Sequence, residues 1–211
     1  MTSGQLDARA KGLALALLAV TQFVIILDAS IVNVALPSIG AALDFSQENL
    51  SWVVNAYTLT FGGFLLLGGR LADLMGRRRM FMSGLVLFTA ASLLAGLAQS
   101  DVWLIAARAA QGLGAALVSP AALSLITTIF REGAERNRAL GVWGAVAGSG
   151  GAAGVLLGGM LTEWAGWEWV FFVNVPVGIA ILALTLAIVR DSRVVTERRR
   201  FDLLGAAVIT S

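Results

Sequence analysis

The chain has 211 residues, of which 58% are hydrophobic and 13% charged, with no cysteine, no histidine and a formal net charge of +2. A soluble domain is nearer a quarter charged, so this composition, with a mean hydropathy of +0.84, excludes an ordinary water-soluble globule. It also excludes disulfides and thiolate metal sites, and it leaves any proton handling to carboxylates.

A membrane-spanning helix needs about 20 mainly apolar residues. Six runs qualify, approximately Gly12 to Leu36, Leu50 to Gly69, Met80 to Ala98, Val102 to Phe130, Ala139 to Thr162 and Trp169 to Val189. The sequence therefore predicts an all-α membrane protein. The first run, behind Arg9 and Lys11, has the outline of a signal peptide. Five further runs, the polar Asp28 and Asn33, and the lack of a clear small-residue cleavage site argue against one. Residues 1–189 read as a six-helix bundle, 190–200 as a basic linker, and 201–211 as the start of a seventh span that the remaining chain cannot complete. The expectation is a truncated chain.

Charge sets the expected orientation. Of 15 Lys and Arg residues, Arg108 alone lies inside a run. The other 14 sit before the first run (Arg9, Lys11) and after the second, fourth and sixth, while the alternate connections around Asp44/Glu48, Asp101 and Glu163/Glu168 have none. By the positive-inside rule the amino terminus is expected in the cytoplasm. Trp52, Trp103, Trp164, Trp167 and Trp169 fall at the opposite ends, where amphipathic rings prefer the headgroup level. The same topology explains a pI near 9.9 better than a nucleic-acid partner does. The bundle is expected in the inner (plasma) membrane.

Asp28 and Arg108 are the only ionisable groups deep inside the runs. At 1.5 Å per residue, Asp28 lies about 24 Å from the start of its helix, and Arg108 about 9 Å below the start of its own, hence roughly 21 Å from the other face. Their depths nearly match, so each could compensate the other in hydrocarbon. Three readings stand open: a proton-coupling site with Asp28 as carrier, a static structural ion pair, or an Asp28 near enough the outer surface to be simply hydrated. Gln22, Asn33, Asn55, Tyr57 and Gln111 are further polar candidates, expected to line a substrate cavity.

Two glycine patterns stand out. In the fifth run Gly150, Gly154 and Gly158 recur every four residues on one helix face, with Gly159 beside them, and permit close helix packing or a bending contact. Between the second and third runs, Gly69-Arg70-Leu71-Ala72-Asp73-Leu74-Met75-Gly76-Arg77-Arg78-Arg79 forms a polar hinge. Asp73 and Arg77 stand four apart and can pair on a helical turn, and Gly69 and Gly76 allow tight backbone approach. A stop-transfer cluster would explain the arginines; a conformational latch made of Gly69, Asp73, Gly76, Arg77 and Arg78 explains the aspartate and glycines too. No phosphate loop, metal cluster or nucleophile–base pair is present, so an intramembrane hydrolase or an ATP-driven pump has almost nothing to stand on, and neither enzyme activity nor a cofactor is expected.

These residues resemble the major facilitator superfamily, and within it the fourteen-span drug:proton antiporters. The hinge is similar to the superfamily's loop motif between spans two and three. Leu27-Asp28-Ala29-Ser30-Ile31-Val32-Asn33-Val34-Ala35-Leu36-Pro37 resembles the antiporters' first-span motif, and Arg108-Ala109-Ala110-Gln111-Gly112-Leu113-Gly114 the fourth-span motif. Trp167-Glu168-Trp169-Val170-Phe171-Phe172-Val173-Asn174-Val175-Pro176-Val177-Gly178 resembles the signature entering span six, and Trp52-Val53-Val54-Asn55-Ala56-Tyr57 that of span two. Gly150 to Gly159 is similar to the fifth-span antiporter motif, with Val155 where that motif usually has proline. The resemblance implies the amino-terminal six-helix half of a major facilitator fold, a 3+3 inverted repeat, with Asp28 and Arg108 in proton coupling and the hinge as the latch. It implies a proton-driven exporter of lipophilic or antibiotic-like molecules, whose partners are protons, the bilayer and a carboxy-terminal half. Metabolite uptake and a non-transporting half-length partner of a transporter are the competing readings.

Overall fold

Long uninterrupted apolar stretches dictate helices, because in hydrocarbon each backbone N–H and C=O has to be satisfied within its own segment. The computed structural model describes residues 8–188, and these contain helices and turns without strands. The helices are α1 (Ala8–Ala42), α2 (Gln47–Leu50), α3 (Trp52–Met75), α4 (Arg77–Gly96), α5 (Asp101–Ile129), α6 (Ala134–Trp164), α7 (Trp169–Phe172) and α8 (Asn174–Ile188). Six segments, with α2–α3 and α7–α8 each counted as one, are long and apolar enough to cross a membrane. The expected linker and seventh span lie outside the described residues.

Several boundaries differ from the sequence reading. Helix α1 extends to Ala42 and carries Pro37 within its last two turns, and α6 begins at Ala134, five residues before the apolar run. The sixth span is interrupted only by the single turn residue Val173 between α7 and α8, whose φ of −58° and ψ of −30° remain helical, so the two parts continue one path. The polar hinge is almost wholly helical: α3 runs through Arg70 and Asp73 to Met75, α4 starts at Arg77, and Gly76 alone interrupts them. Its φ of +101° is a backbone shape that side-chain-bearing residues rarely adopt. At the start of α5, the Ser100 hydroxyl accepts from the Trp103 N–H and Asp101 stands in the first turn, so an N-cap and a favourable dipole charge start that helix.

The packing is crossed. Helix α1 lies along α6, and α5 is held between α3 and α4. Taking α1, α3, α4 as one triplet and α5, α6, α7–α8 as another, the first helix of each packs on the second helix of the other, as a 3+3 inverted repeat requires. Glycines bring α6 close to α1. A Cβ added at Gly150 would stand 2.8 Å from the Phe23 carbonyl oxygen, one at Gly154 2.6 Å from Ser30 Cβ, and one at Gly158 3.0 Å from the Ile31 carbonyl oxygen. The Ser30 hydroxyl also donates to the Gly151 carbonyl at 2.8 Å.

Two apolar clusters fill the bundle. One gathers Leu18, Phe81, Leu85, Phe88 and Ile126 toward the end that carries the basic residues. The other gathers Ile31, Ile39, Val53, Leu104 and Phe171 toward the acidic end. Between them, in sequence and in space, lies a layer of buried polar side chains. Trp52, Trp103, Trp164 and Trp169 are exposed near the acidic end, but Trp167 is not at a surface as expected: it is buried, edge-on to Phe171 at 6.2 Å.

Candidate functional site

The buried polar layer is assembled from five helices, each contributing at a core-facing position. On α1 the buried residues Thr21, Val24, Ile25, Asp28, Ile31, Val32 and Ala35 follow helical spacing, so Asp28 faces inward. On α5, Arg108 and Gln111 are three apart and both buried, which puts them on one face. Ser92 of α4 and Asn174 of α8 complete the layer, and Tyr57 of α3 covers it.

Asp28 and Arg108 are 0% and 1% exposed and their charged atoms meet at 2.6 Å, from Arg108 Nη1 to Asp28 Oδ2. The same Nη1 donates to Gln111 Oε1 at 2.9 Å, and Nε donates to the Val53 carbonyl at 3.0 Å. The other Asp28 oxygen, Oδ1, accepts from Gln111 Nε2 at 2.9 Å and from Asn174 Nδ2 at 2.8 Å. Gln111 Nε2 also donates to the Ser92 hydroxyl at 2.6 Å. The guanidinium carbon sits 4.3 Å from the Tyr57 ring centre and 5.8 Å from that of Phe171, so aromatic faces support the cation on two sides.

This geometry suits an ionised pair. A carboxylate is acceptor-only and a guanidinium donor-only, and each neighbour offers the complementary group. An isolated buried charge would be costly, and the pair avoids that only while its hydrogen bonds stay intact. The hydrated, near-surface position considered for Asp28 does not occur in this structure.

The polar residues expected to line a cavity separate. Tyr57 and Gln111 are buried in the Asp28–Arg108 network. Gln22 is buried elsewhere along α1, its Oε1 without a hydrogen-bond partner among the described residues. Asn33 and Asn55 are exposed, and the Asn33 amide donates to its own helix at Ala29. A cavity of about 730 Å³ does open at the basic end, lined by Lys11, Leu15, Phe130, Glu135, Arg138 and Val142 among others. None of the five lines it. There Lys11 donates to Glu135 at 2.6 Å, and that hydrogen bond is the main cause holding the Glu135 carboxyl below its ordinary range.

The hinge residues are partly brought together. Asp73 and Arg77 approach only to 3.9 Å and are both partly exposed, while Arg77 Nη1 bonds to the Thr128 hydroxyl of α5. The tight backbone approach belongs to Gly68, which faces the Ala116 carbonyl, rather than to Gly69, where an added Cβ would rest 3.7 Å from Pro120. Gly76 has open space around it, so its backbone angle, not close packing, is what calls for glycine. Arg78 is half-buried at the start of α4. Of the fifth-run glycines, Gly150, Gly154 and Gly158 face α1, but Gly159 points to open space.

Asn174 and Ser92 were not singled out by the sequence reading. A signal for Asn174 exists: Phe171, Asn174, Gly178, Ile181 and Thr185 are all buried, and their spacing of three and four marks one inward helix face. An amide on that face has to find a partner.

Residues 18–208 match the model of the Major Facilitator Superfamily. The chain belongs to this superfamily. The superfamily chain is 50% identical over 199 residues to the cephamycin export protein CmcT of Amycolatopsis lactamdurans, covering 94% of this chain and 41% of that protein. It is 50% identical over 185 residues to the puromycin resistance protein pur8 of Streptomyces alboniger, covering 87% and 36%. It is 41% identical over 209 residues to the lincomycin resistance protein of Streptomyces lincolnensis, covering 97% and 42%. The chain thus spans about two-fifths of these relatives' length. Among solved structures, it matches a bacterial homolog to the human lysosomal transporter Spinster, inward-facing and occupied, with a TM-score of 0.76 at 20% identity, over 89% of this chain and 46% of that one. That likeness concerns the fold alone.

Proposed function

We propose that this major facilitator chain is the amino-terminal part of a proton-coupled exporter of antibiotic-like molecules that works by alternating access. The observation that carries the coupling is the Asp28–Arg108 pair, sealed at 2.6 Å inside a layer whose neighbours of Asp28 are all hydrogen-bond donors. A proton bound to Asp28 turns an acceptor oxygen into a donor. It faces N–H groups that cannot accept, so the layer has to rearrange, and a protonation event becomes a packing event. Three relatives named for export or resistance support the direction and the substrate class.

The substrate would bind near the midplane between this half and a second one. With the basic end facing the cytoplasm of the inner (plasma) membrane, the amino terminus is cytoplasmic. The hinge then latches α3 and α4 to α5 on that side through Arg77 and Thr128 rather than chiefly through Asp73. Gly150, Gly154 and Gly158 let α6 slide or bend on α1.

The test is drug transport by the native-length protein in proteoliposomes with an imposed pH gradient. Wild-type protein moves puromycin, cephamycin or lincomycin against its gradient as protons flow the other way. The Asp28→Asn variant folds but loses coupled transport. Wild-type coupling in that variant would sink the proton-carrier assignment, and drug movement in the same direction as protons would replace export by uptake.

A further inference from the structure

The proton-coupling reading uses Asp28 and Arg108 and leaves the sequence entering the sixth span, Trp167 to Gly178, without a task. That segment touches both members of the pair. Asn174 Nδ2 donates to Asp28 Oδ1 at 2.8 Å, the Phe171 ring faces the Arg108 guanidinium at 5.8 Å, and Trp167 supports Phe171 edge-on. Phe171 and Asn174 stand three apart, on either side of Val173 where α7 passes into α8. We infer that Asn174 is a positioning residue that reads the proton state of Asp28 and passes it to α7 and α8; this rests on the proton-coupling reading of the site.

The argument is one of donors and acceptors. Asp28 Oδ2 is engaged by Arg108 at 2.6 Å, so an incoming proton goes to Oδ1, where the two amides Gln111 and Asn174 both present N–H groups. The O–H that forms needs an acceptor, and one amide must withdraw or turn its carbonyl toward it. Gln111 is tied on three sides, to Arg108, Asp28 and Ser92. Asn174 is held to the layer through its bond to Asp28, whereas Gln111 cannot turn without breaking two further bonds. Asn174 is the amide that gives. When the proton leaves, its N–H turns back to Asp28.

The ionisable groups facing Asp28 among the described residues are Arg108 from α5 and Tyr57 from α3. Helix α4 presents Ser92, α6 presents its glycine face, and α7 and α8 present Phe171 and Asn174. Among the described residues no second carboxylate shares the site, so a pH response that needs Asn174 has Asp28 as its source.

These 211 residues contain no cysteine, so once any cysteine in the rest of the native-length protein is replaced, a spin label at Val173→Cys reports on this site alone. In the native-length protein in lipid, with no drug present, the ratio of mobile to fixed label is read between about pH 8 and about pH 4. The expected result in the Val173→Cys protein is a rise of about tenfold on acidification, the size that losing a hydrogen bond to a charged group implies. Adding Asn174→Leu removes the response. The double exchange Asp28→Asn with Asn174→Asp restores it, because the carboxylate–amide bond reforms with its ends swapped; restoration also shows that the loss was not misfolding. A response that persists in Asn174→Leu, is absent from the Val173→Cys protein, or fails to return in the exchange overturns the inference. Gradient-driven drug export is measured in parallel. Lost export with an intact, Asn174-dependent response defeats the exporter reading alone, and intact export with no such response defeats this inference alone.

Discussion

Replacing Gly154 by alanine tests whether α1 and α6 are held by the glycine face or merely lie beside each other. The added Cβ would stand 2.6 Å from Ser30 Cβ, 2.9 Å from Ser30 Oγ and 3.0 Å from the Leu27 carbonyl oxygen. Carbon–carbon contacts are comfortable at about 3.5–4.0 Å, so about 1 Å is missing. Neither Ser30 Cβ nor a helix carbonyl can swing away, and the two helices have to separate. Such overpacking costs about 1–3 kcal/mol. Gly159→Ala is the matched control: it makes the same change on the same helix, with nothing within 4 Å of the new atom. The gain of about 0.5–1 kcal/mol from replacing a helical glycine is common to both variants and cancels in their difference. For a chain of this size 1 kcal/mol moves the melting temperature by roughly 2–4 °C, so Gly154→Ala should melt about 2–12 °C below Gly159→Ala. Thermal unfolding of the 211-residue chain in detergent, followed by tryptophan fluorescence, reads this directly. Equal melting temperatures would refute the close-approach argument for the α1–α6 contact.

Arg108→Ala strands the buried Asp28 and should cost about 3–5 kcal/mol; melting then falls much further than in Asp28→Asn, where the amide can still bond to its neighbours. Gly76→Ala forces an L-residue to a φ of +101° and should cost about 1–3 kcal/mol, whereas Gly69→Ala, inside α3 with its nearest contact at 3.7 Å, should gain the helical increment of about 0.5–1 kcal/mol and melt slightly above wild type. The Asp73–Arg77 pair is exposed and long, so Asp73→Asn should change melting by less than about 1 kcal/mol. The Lys11–Glu135 contact stabilises through a carboxyl held below its ordinary range. Its contribution is present above the unfolded carboxyl's range, about pH 4–5, and disappears as pH drops through the lowered folded value. The gap in melting temperature between wild type and Lys11→Met should accordingly close in acid.

Much of this was legible in the sequence because it rests on one-dimensional rules. Apolar run length yields the spans, and the matching depths of Asp28 and Arg108 follow from rise per residue alone. The spacing of Gly150, Gly154 and Gly158 identifies the face that meets α1. What was not legible required knowing which way a helix is turned. Gly68 and Gly69 are neighbours in sequence but about 100° apart around α3, and only the packing shows that Gly68 is pressed against α5. Gly158 and Gly159 divide in the same way. Asn33 and Asn55 are polar residues in apolar runs, like Gln111, yet they face outward. Asn174 was hidden because its partner is 146 residues away.

The mutual closure of Asp28 and Arg108 also has an electrical consequence. With the carboxylate ionised the pair is neutral, and under the proposed alternating access it would pass from one face of the bilayer to the other without doing work against the membrane potential. With a proton aboard, the same layer carries one positive charge, worth about 2.3 kcal/mol for every 100 mV crossed. Exchange of one proton for an uncharged drug would then be driven by voltage as well as by pH, while exchange for a singly cationic drug would leave voltage idle. Which gradient drives export would depend on the cargo, although the protein's own charges are the same in both cases.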